Sequence, residues 1–221
     1  MQPISPRSTV RRLPDRGRYD ADTVHAILDE ALICHVGFST DDGPVVIPTI
    51  HARVGDTVYL HGSPASRMMR TTVGEQVSIA ATIVDGIVAA RSLFHHSLNY
   101  RSVVAFGTPR VVTDPEERTI AFRAITEHML PGRWDEARWP SVKEDKGTRL
   151  LAVEIEEASA KVRSGPPGDD VEDLGSGIWA GVLPLSTVAG PPEPAPDLED
   201  GVAVPRSVRG YGNGPHGVSE R

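Results

Sequence analysis

Apolar residues recur along this chain with two different periods, and the change from one to the other marks its elements. Behind Asp20, a residue suited to an N-cap, Val24, Ile27, Leu28 and Ala31 recur at i, i+3, i+4 and i+7 and predict a short amphipathic helix. The period then drops to two. Leu32, Cys34, Val36 and Phe38 share one face while Ile33, His35 and Gly37 share the other, which predicts a strand over Leu32–Ser39. Thr40-Asp41-Asp42-Gly43 supplies turn chemistry, so Pro44–Arg53 should return antiparallel, and Gly55-Asp56 turns the chain again into Thr57–His61. Further strands are expected at Gln76–Asp85, Ile87–Phe94, Ser102–Val112 and Arg149–Val162, the first two joined by a turn at Asp85-Gly86. Pro64–Val73 and Asp114–Leu130 read as helices; the second opens with Asp114-Pro115-Glu116-Glu117, a cap, a first-turn proline and acids at the positive end of the dipole. Seven mostly antiparallel strands with few helices predict a mainly β protein, a closed or nearly closed barrel rather than a doubly wound sheet.

Composition narrows the partners. Of 221 residues, 39% are apolar and 24% charged, an ordinary globular balance. The net charge of −7 repels a phosphate backbone, so nucleic acid is not an expected partner. Apolar runs fall well short of the roughly 20 residues that a membrane span needs. The arm 1–19 mixes Pro and Arg with no apolar stretch, and the single Cys34 lies in an apolar segment, which together lead us to expect a cytoplasmic protein. Residues 190–221 hold 6 Pro and 6 Gly and are expected to form a flexible tail behind a domain spanning 20–189. A G-x-G-x-x-G string at Gly212, Gly214 and Gly217 lacks the flanking strand and helix of a dinucleotide site and reads as a chance match. The apolar run Trp179–Leu185 should dock on its own barrel or on a partner chain.

Two stretches carry candidate chemistry. In His61-Gly62-Ser63-Pro64-Ala65-Ser66-Arg67-Met68-Met69-Arg70 a strand gives way to a helix start, where Ser66 and Arg67 offer donors suited to an anion. A capped surface helix with solvated arginines would have the same composition. In Arg91-Ser92-Leu93-Phe94-His95-His96-Ser97-Leu98-Asn99-Tyr100-Arg101-Ser102 polar groups crowd the link between two strands. His95 or His96 could donate a proton beside an anionic ligand held by Arg91 and Arg101, or the stretch could be a hydrogen-bonded loop. Adjacent histidines on an extended chain point apart, and no Cys or acid stands at ligand spacing, so structural zinc is not expected.

Taken together, Pro44–Arg53, His61–Arg70, Ala90–Ser102 and Ala160–Pro167 resemble the pyridoxamine 5′-phosphate oxidase-related flavoproteins, in particular the branch containing the nitroimidazole-resistance proteins. The resemblance implies an FMN-binding split barrel, a homodimer with FMN at each subunit interface. It further implies that Val46, Ile47, Pro48 and Thr49 line the isoalloxazine ring and that His61 and Gly62 flank the cofactor. Ser66 and Arg67 would bind its phosphate, and Arg101 and Ser102 would reach the flavin, Ser102 across the dimer. Met68 and His51 replace basic residues of the oxidases, and no Arg-rich C-terminal substrate segment is present, which points away from vitamin B6 oxidation. The implied activity is an FMN-dependent oxidoreductase, carrying electrons from a small donor such as NAD(P)H to a small acceptor with His95 or His96 as proton donor. The alternative is a non-catalytic flavin or haem binder used for carriage or sensing.

Overall fold

The computed structural model describes residues 5–211, and among these it is mainly β. Strand β1 (Gly17–Arg18) leads into helix α1 (Ala21–Glu30). Asp20 caps that helix by accepting from the Thr23 amide at 2.8 Å, while Val24, Ile27 and Leu28 are buried along its inner face. Then follow β2 (Ile33–Thr40), β3 (Gly43–Val54), β4 (Thr57–Gly62), the one-turn helix α2 (Arg67–Thr71), β5 (Val77–Ala89), β6 (Ser97–Gly107) and β7 (Pro109–Val111). Helix α3 (Pro115–Met129) is capped by Asp114, which accepts from the Glu117 amide at 2.8 Å, and α4 (Val142–Lys146) carries a Ser141–Glu144 capping box. Strands β8 (Arg149–Glu154), β9 (Glu157–Arg163) and β10 (Gly181–Pro184) and helix α5 (Arg206–Arg209) complete the chain.

Three of the expected boundaries are corrected. The Asp85-Gly86 pair is not a turn: β5 runs through it, with a bulge that shifts its register against β6 between Val84 and Gly86. Gly86 is there for close approach, since a Cβ at this position would lie 3.0 Å from the Leu183 carbonyl oxygen of β10. The strand expected over Ser102–Val112 starts earlier, at Ser97, and breaks at Thr108 into β6 and β7. The one expected over Arg149–Val162 is two strands meeting at a corner, where Ile155 N donates to Asp56 O and Glu156 N to Phe106 O.

These breaks close the barrel. The strand order runs β1-β9-β6-β5-β2-β3-β4-β8-β7, every pair antiparallel, and β8 continues directly into β9 while β6 continues directly into β7. The two ends of the sheet are therefore joined by shared strands. At this seam the backbones nearly touch: a Cβ on Gly107 would stand 2.1 Å from the Glu154 carbonyl oxygen. Inside sit Cys34, Val36, Phe38, Val58, Leu60, Ile79, Ala81, Val103, Ala105, Leu151 and Val153, plugged by α1; a second cluster lies under α3 around Ala121, Ile125 and Leu150. At about 1.5–3 kcal/mol for each large side chain fully buried, this interior is the main stabilising term. Cys34 belongs to it as a small hydrophobe, its thiol pushed up to about 12 by burial.

The apolar run near Trp179 docks in part: β10 pairs with the second half of β5, Gly181 opposite Ala89, and Leu185 N donates to Asp85 O at 3.0 Å. Residues 190–204 are exposed and form neither strand nor helix. Beyond them Ser207 is buried, its amide and hydroxyl both donating to the Glu136 carboxylate. The glycines at 212, 214 and 217 lie outside the described residues. Among the described residues no helix is long and apolar enough to cross a membrane.

Candidate functional site

The exit of β4 is built to leave donors unspent. The helix expected from Pro64 begins only at Arg67, because Ser63–Ser66 closes first as a turn, with Ser66 N donating to Ser63 O at 2.9 Å. The N-cap residue is thus Ser66, and its hydroxyl makes no capping bond. Met68 and Met69, buried against the barrel, fix the turn in place. The Arg67 guanidinium, exposed beside it, has no hydrogen bond or ion pair among the described residues. Under this turn lies His61, whose Nδ1 is buried without a partner; burial pushes its pKa below the ordinary value, so the ring is neutral. Gly62 lets the Met69 side chain close over the strand, since a Cβ would lie 3.0 Å from its methyl group.

Strand β3 is zippered on both edges for only part of its length. One edge pairs with β2 from Gly43 to Ile50, whereas the other pairs with β4 only from His51 to Val54. From Gly43 to Ile50 the second edge pairs with no strand among the described residues, so the backbone groups that alternate away from β2, those of Val46 among them, are open to a ligand. Ile47 packs its side chain inward against the core, while Val46, 64% exposed, and Pro48 face outward. Around these two, Ile33, His35, Val84 and Val104 extend an exposed and largely apolar sheet face, broken by the small residues Gly37, Ser78 and Ala80. His51, at the inner end of β3, turns into the core, its Nε2 2.9 Å from Leu28 O and its ring against His128.

The polar loop between β5 and β6 is anchored rather than free. Arg91 binds Asp169 twice, amide to Oδ1 at 2.8 Å and guanidinium to Oδ2 at 2.6 Å, and the Asp169 side chain is only 3% exposed. His95 Nε2 lies 3.1 Å from Asp170 Oδ2, and His96 Nδ1 lies 3.0 Å from Ser92 O. Arg101 is committed elsewhere: its guanidinium binds both oxygens of Glu30 and both of Asp85, with Nη2 2.7 Å from each carboxylate, and these bonds raise its pKa. Its neighbour Ser102 faces outward on β6 and donates to Lys161 O at a long 3.4 Å. His61, Gly62, Ser66 and Arg67 are thus brought to one corner of the fold. His95 and His96 sit on a separate loop.

The pairing of Arg101 with Glu30, 71 residues away, leaves no local trace, and neither do the Asp169 and Asp170 anchors. The outward position of His35 was legible, because β2 alternates and Cys34 faces the core.

A ten-stranded sheet folded into a split barrel, with unspent anion donors at one strand exit and an open strand edge, defines a mainly β split-barrel protein. The chain belongs to the pyridoxamine 5′-phosphate oxidase family, whose model matches residues 20–162. It is 37% identical to the flavocytochrome Anf3 from Azotobacter vinelandii, over 93% of this chain and 96% of that one, with a TM-score of 0.87. It is also 37% identical to the FAD and haem binding protein from Mycobacterium smegmatis, over 88% of this chain and 96% of that one, with a TM-score of 0.84. A structure described as a 5-nitroimidazole antibiotic resistance protein from Bacteroides thetaiotaomicron shares the fold at 21% identity, over 66% of this chain and 87% of that one, with a TM-score of 0.54. No curated protein matches the chain.

Proposed function

We propose that the protein is a flavin-dependent redox protein that also takes haem, assembled as a homodimer, with the flavin at the subunit interface. The carrying observation is that Ser66 and Arg67 spend no side-chain hydrogen bond on the described residues, although both sit on a turn fixed by two buried methionines. This donor set fits a phosphate monoester or diester. In this reading the FMN portion, common to FMN and FAD, has its phosphate at Ser66 and Arg67 and its ring along the open edge of Val46–Thr49. His61 and Gly62 flank it. The neutral His61 keeps an Nδ1 free for a flavin polar atom, and the partner subunit's outer face covers the ring from the far side. Arg101 supports the site from behind, holding α1 to the β5 bulge through Glu30 and Asp85, and Ser102 presents its hydroxyl on the face that meets the second copy.

When bound, a flavin supplies hydride and single-electron transfer, and the protein supplies orientation and exclusion of water. The donor is a reduced nicotinamide such as NAD(P)H and the acceptor a small molecule, with His95, on the loop between β5 and β6, available to hold a proton. FMN follows from the sequence resemblance, and FAD is supported by the mycobacterial protein of 37% identity. Haem is supported by both relatives of 37% identity, one a flavocytochrome and the other an FAD and haem binding protein. The chain's own exposed histidine loop, rimmed by Leu93 and Phe94, offers nitrogen donors and apolar surface suited to it. Absorption spectroscopy of the purified protein tests all of this. Flavin bands that bleach with NADH or NADPH, together with a Soret band, are expected. Bound flavin that no nicotinamide reduces would mark a carrier or sensor, and absence of any flavin after reconstitution with FMN and FAD would refute the reading.

A further inference from the structure

His96 differs from the other described histidines in how its ring is held. Ser92 Oγ accepts from Phe94 N at 3.3 Å and sets up the short turn Leu93–His95. The Ser92 carbonyl oxygen then accepts twice, from His95 N at 3.1 Å and from His96 Nδ1 at 3.0 Å. A carbonyl can only accept, so Nδ1 carries the hydrogen, and in the neutral ring the lone pair is then on Nε2. Nε2 makes no hydrogen bond among the described residues. That is the arrangement by which proteins present an imidazole to a metal: one nitrogen tied to a carbonyl, the tautomer and ring orientation fixed, the other nitrogen free.

The surroundings select the kind of metal group. His96 is exposed, and beside it Leu93 and Phe94 are 91% and 86% exposed, with Leu98 exposed two residues on. Large side chains left this bare on an anchored loop mark a surface that something apolar covers. Among the described residues His96 has no two further His, Cys, Asp or Glu around it to complete a site for a bare ion, which suits a metal group that brings its own equatorial ligands. A porphyrin does so, and its apolar plane suits Leu93 and Phe94.

Other donors are less suited. The Nε2 atoms of His25, His51, His95 and His128 already face Asp56, Leu28 O, Asp170 and Ala31 O. The Cys34 thiol is buried and protonated, and Met68 and Met69 are buried under the β4 exit. His61 sits half-buried at the proposed flavin corner, and His35 lies on a strand with no bond fixing its tautomer.

We propose that His96 Nε2 is the protein's axial ligand to haem iron, with Leu93 and Phe94 packing on the porphyrin and the Arg91–Asp169 pair anchoring the loop. This rests on the haem half of the function proposed above. The test is reconstitution of wild type, His95→Ala and His96→Gly protein with hemin, read by Soret position, hemin affinity and flavin content. His96→Gly should bind hemin at least roughly tenfold more weakly and lose the wild-type Soret band, added imidazole should restore that band, and flavin content should not change. His95→Ala should keep the wild-type spectrum. Resonance Raman of the reduced wild-type complex should show an iron–histidine stretch, a readout that needs no variant. A wild-type spectrum and affinity in His96→Gly, or their loss in His95→Ala alone, would overturn the assignment while the haem reading stands. A wild-type protein that takes up no hemin would overturn both.

Discussion

Arg67→Ala removes a guanidinium at the β4 exit that has no partner among the described residues, so its effect should fall on the ligand and not on the barrel. A hydrogen bond to a charged group contributes about 1.5–3 kcal/mol, and the exposure of Arg67 in the single chain selects the low end of that range. At about 1.4 kcal/mol per decade, the flavin dissociation constant should rise by roughly tenfold. Met68 and Met69 hold α2 in place in the variant as in the wild type, so thermal melting of the apoprotein should be unchanged. The control is Arg101→Ala, which leaves the carboxylates of Glu30 and Asp85 without their shared cation and should lower the melting temperature. Titration of both apoproteins with FMN and with FAD, followed by quenching of flavin fluorescence, decides between them. Unchanged affinity for both flavins in Arg67→Ala, or a melting loss as large as that of Arg101→Ala, would refute the phosphate role.

Gly107→Ala forces a methyl group against the Glu154 carbonyl at the barrel seam and should cost about 1–3 kcal/mol, read as a lower midpoint in urea; an unchanged midpoint would mean that the seam opens freely. Val46→Asp places a charge on the outward apolar face and should convert the dimer to monomer in sedimentation while weakening flavin binding, and a variant that stays dimeric would move the interface elsewhere. His61 is neutral in the fold because burial depresses its pKa, so below about pH 6.5 the unfolded chain binds a proton that the folded one does not. Stability of the apoprotein should therefore be complete above that pH and decline below it, less steeply in His61→Gln; parallel pH profiles for the two would show that His61 does not titrate on unfolding.

What could be read from the sequence was what local patterning controls. The caps at Asp20 and Asp114 and the alternation of β2 depend on neighbours within one turn or one strand, and the structure reproduces them. Where a residue has two uses, the sequence alone cannot choose between them. Gly86 after Asp85 has the composition of a turn, yet the glycine serves the approach of β10, a strand that begins 95 residues later. Pro64 suits a first helical turn, yet the Ser63–Ser66 hydrogen bond forms first and delays the helix to Arg67. The corner at Ile155 is likewise invisible within Arg149–Val162, because what bends it is the pair of bonds to Asp56 O and Phe106 O, both distant in sequence. The site divides in the same way: Ser66 and Arg67 announce themselves by type, whereas the engagement of Arg101 by two carboxylates is a product of tertiary packing.

Strand β10 has a practical bearing on how the protein can be handled. The family match ends at residue 162, so a shortened chain stopping there would look like a complete domain. Such a chain would lose the strand that covers Gly86–Ala89 of β5 and the aspartate that holds the Arg91 amide. The freed edge, with Ile87 exposed beside it, would be a template for pairing with other molecules, and the shortened protein should aggregate where the full chain stays dispersed. The segment after the match thus acts as the selvedge of the sheet, keeping its weave from catching on its neighbours.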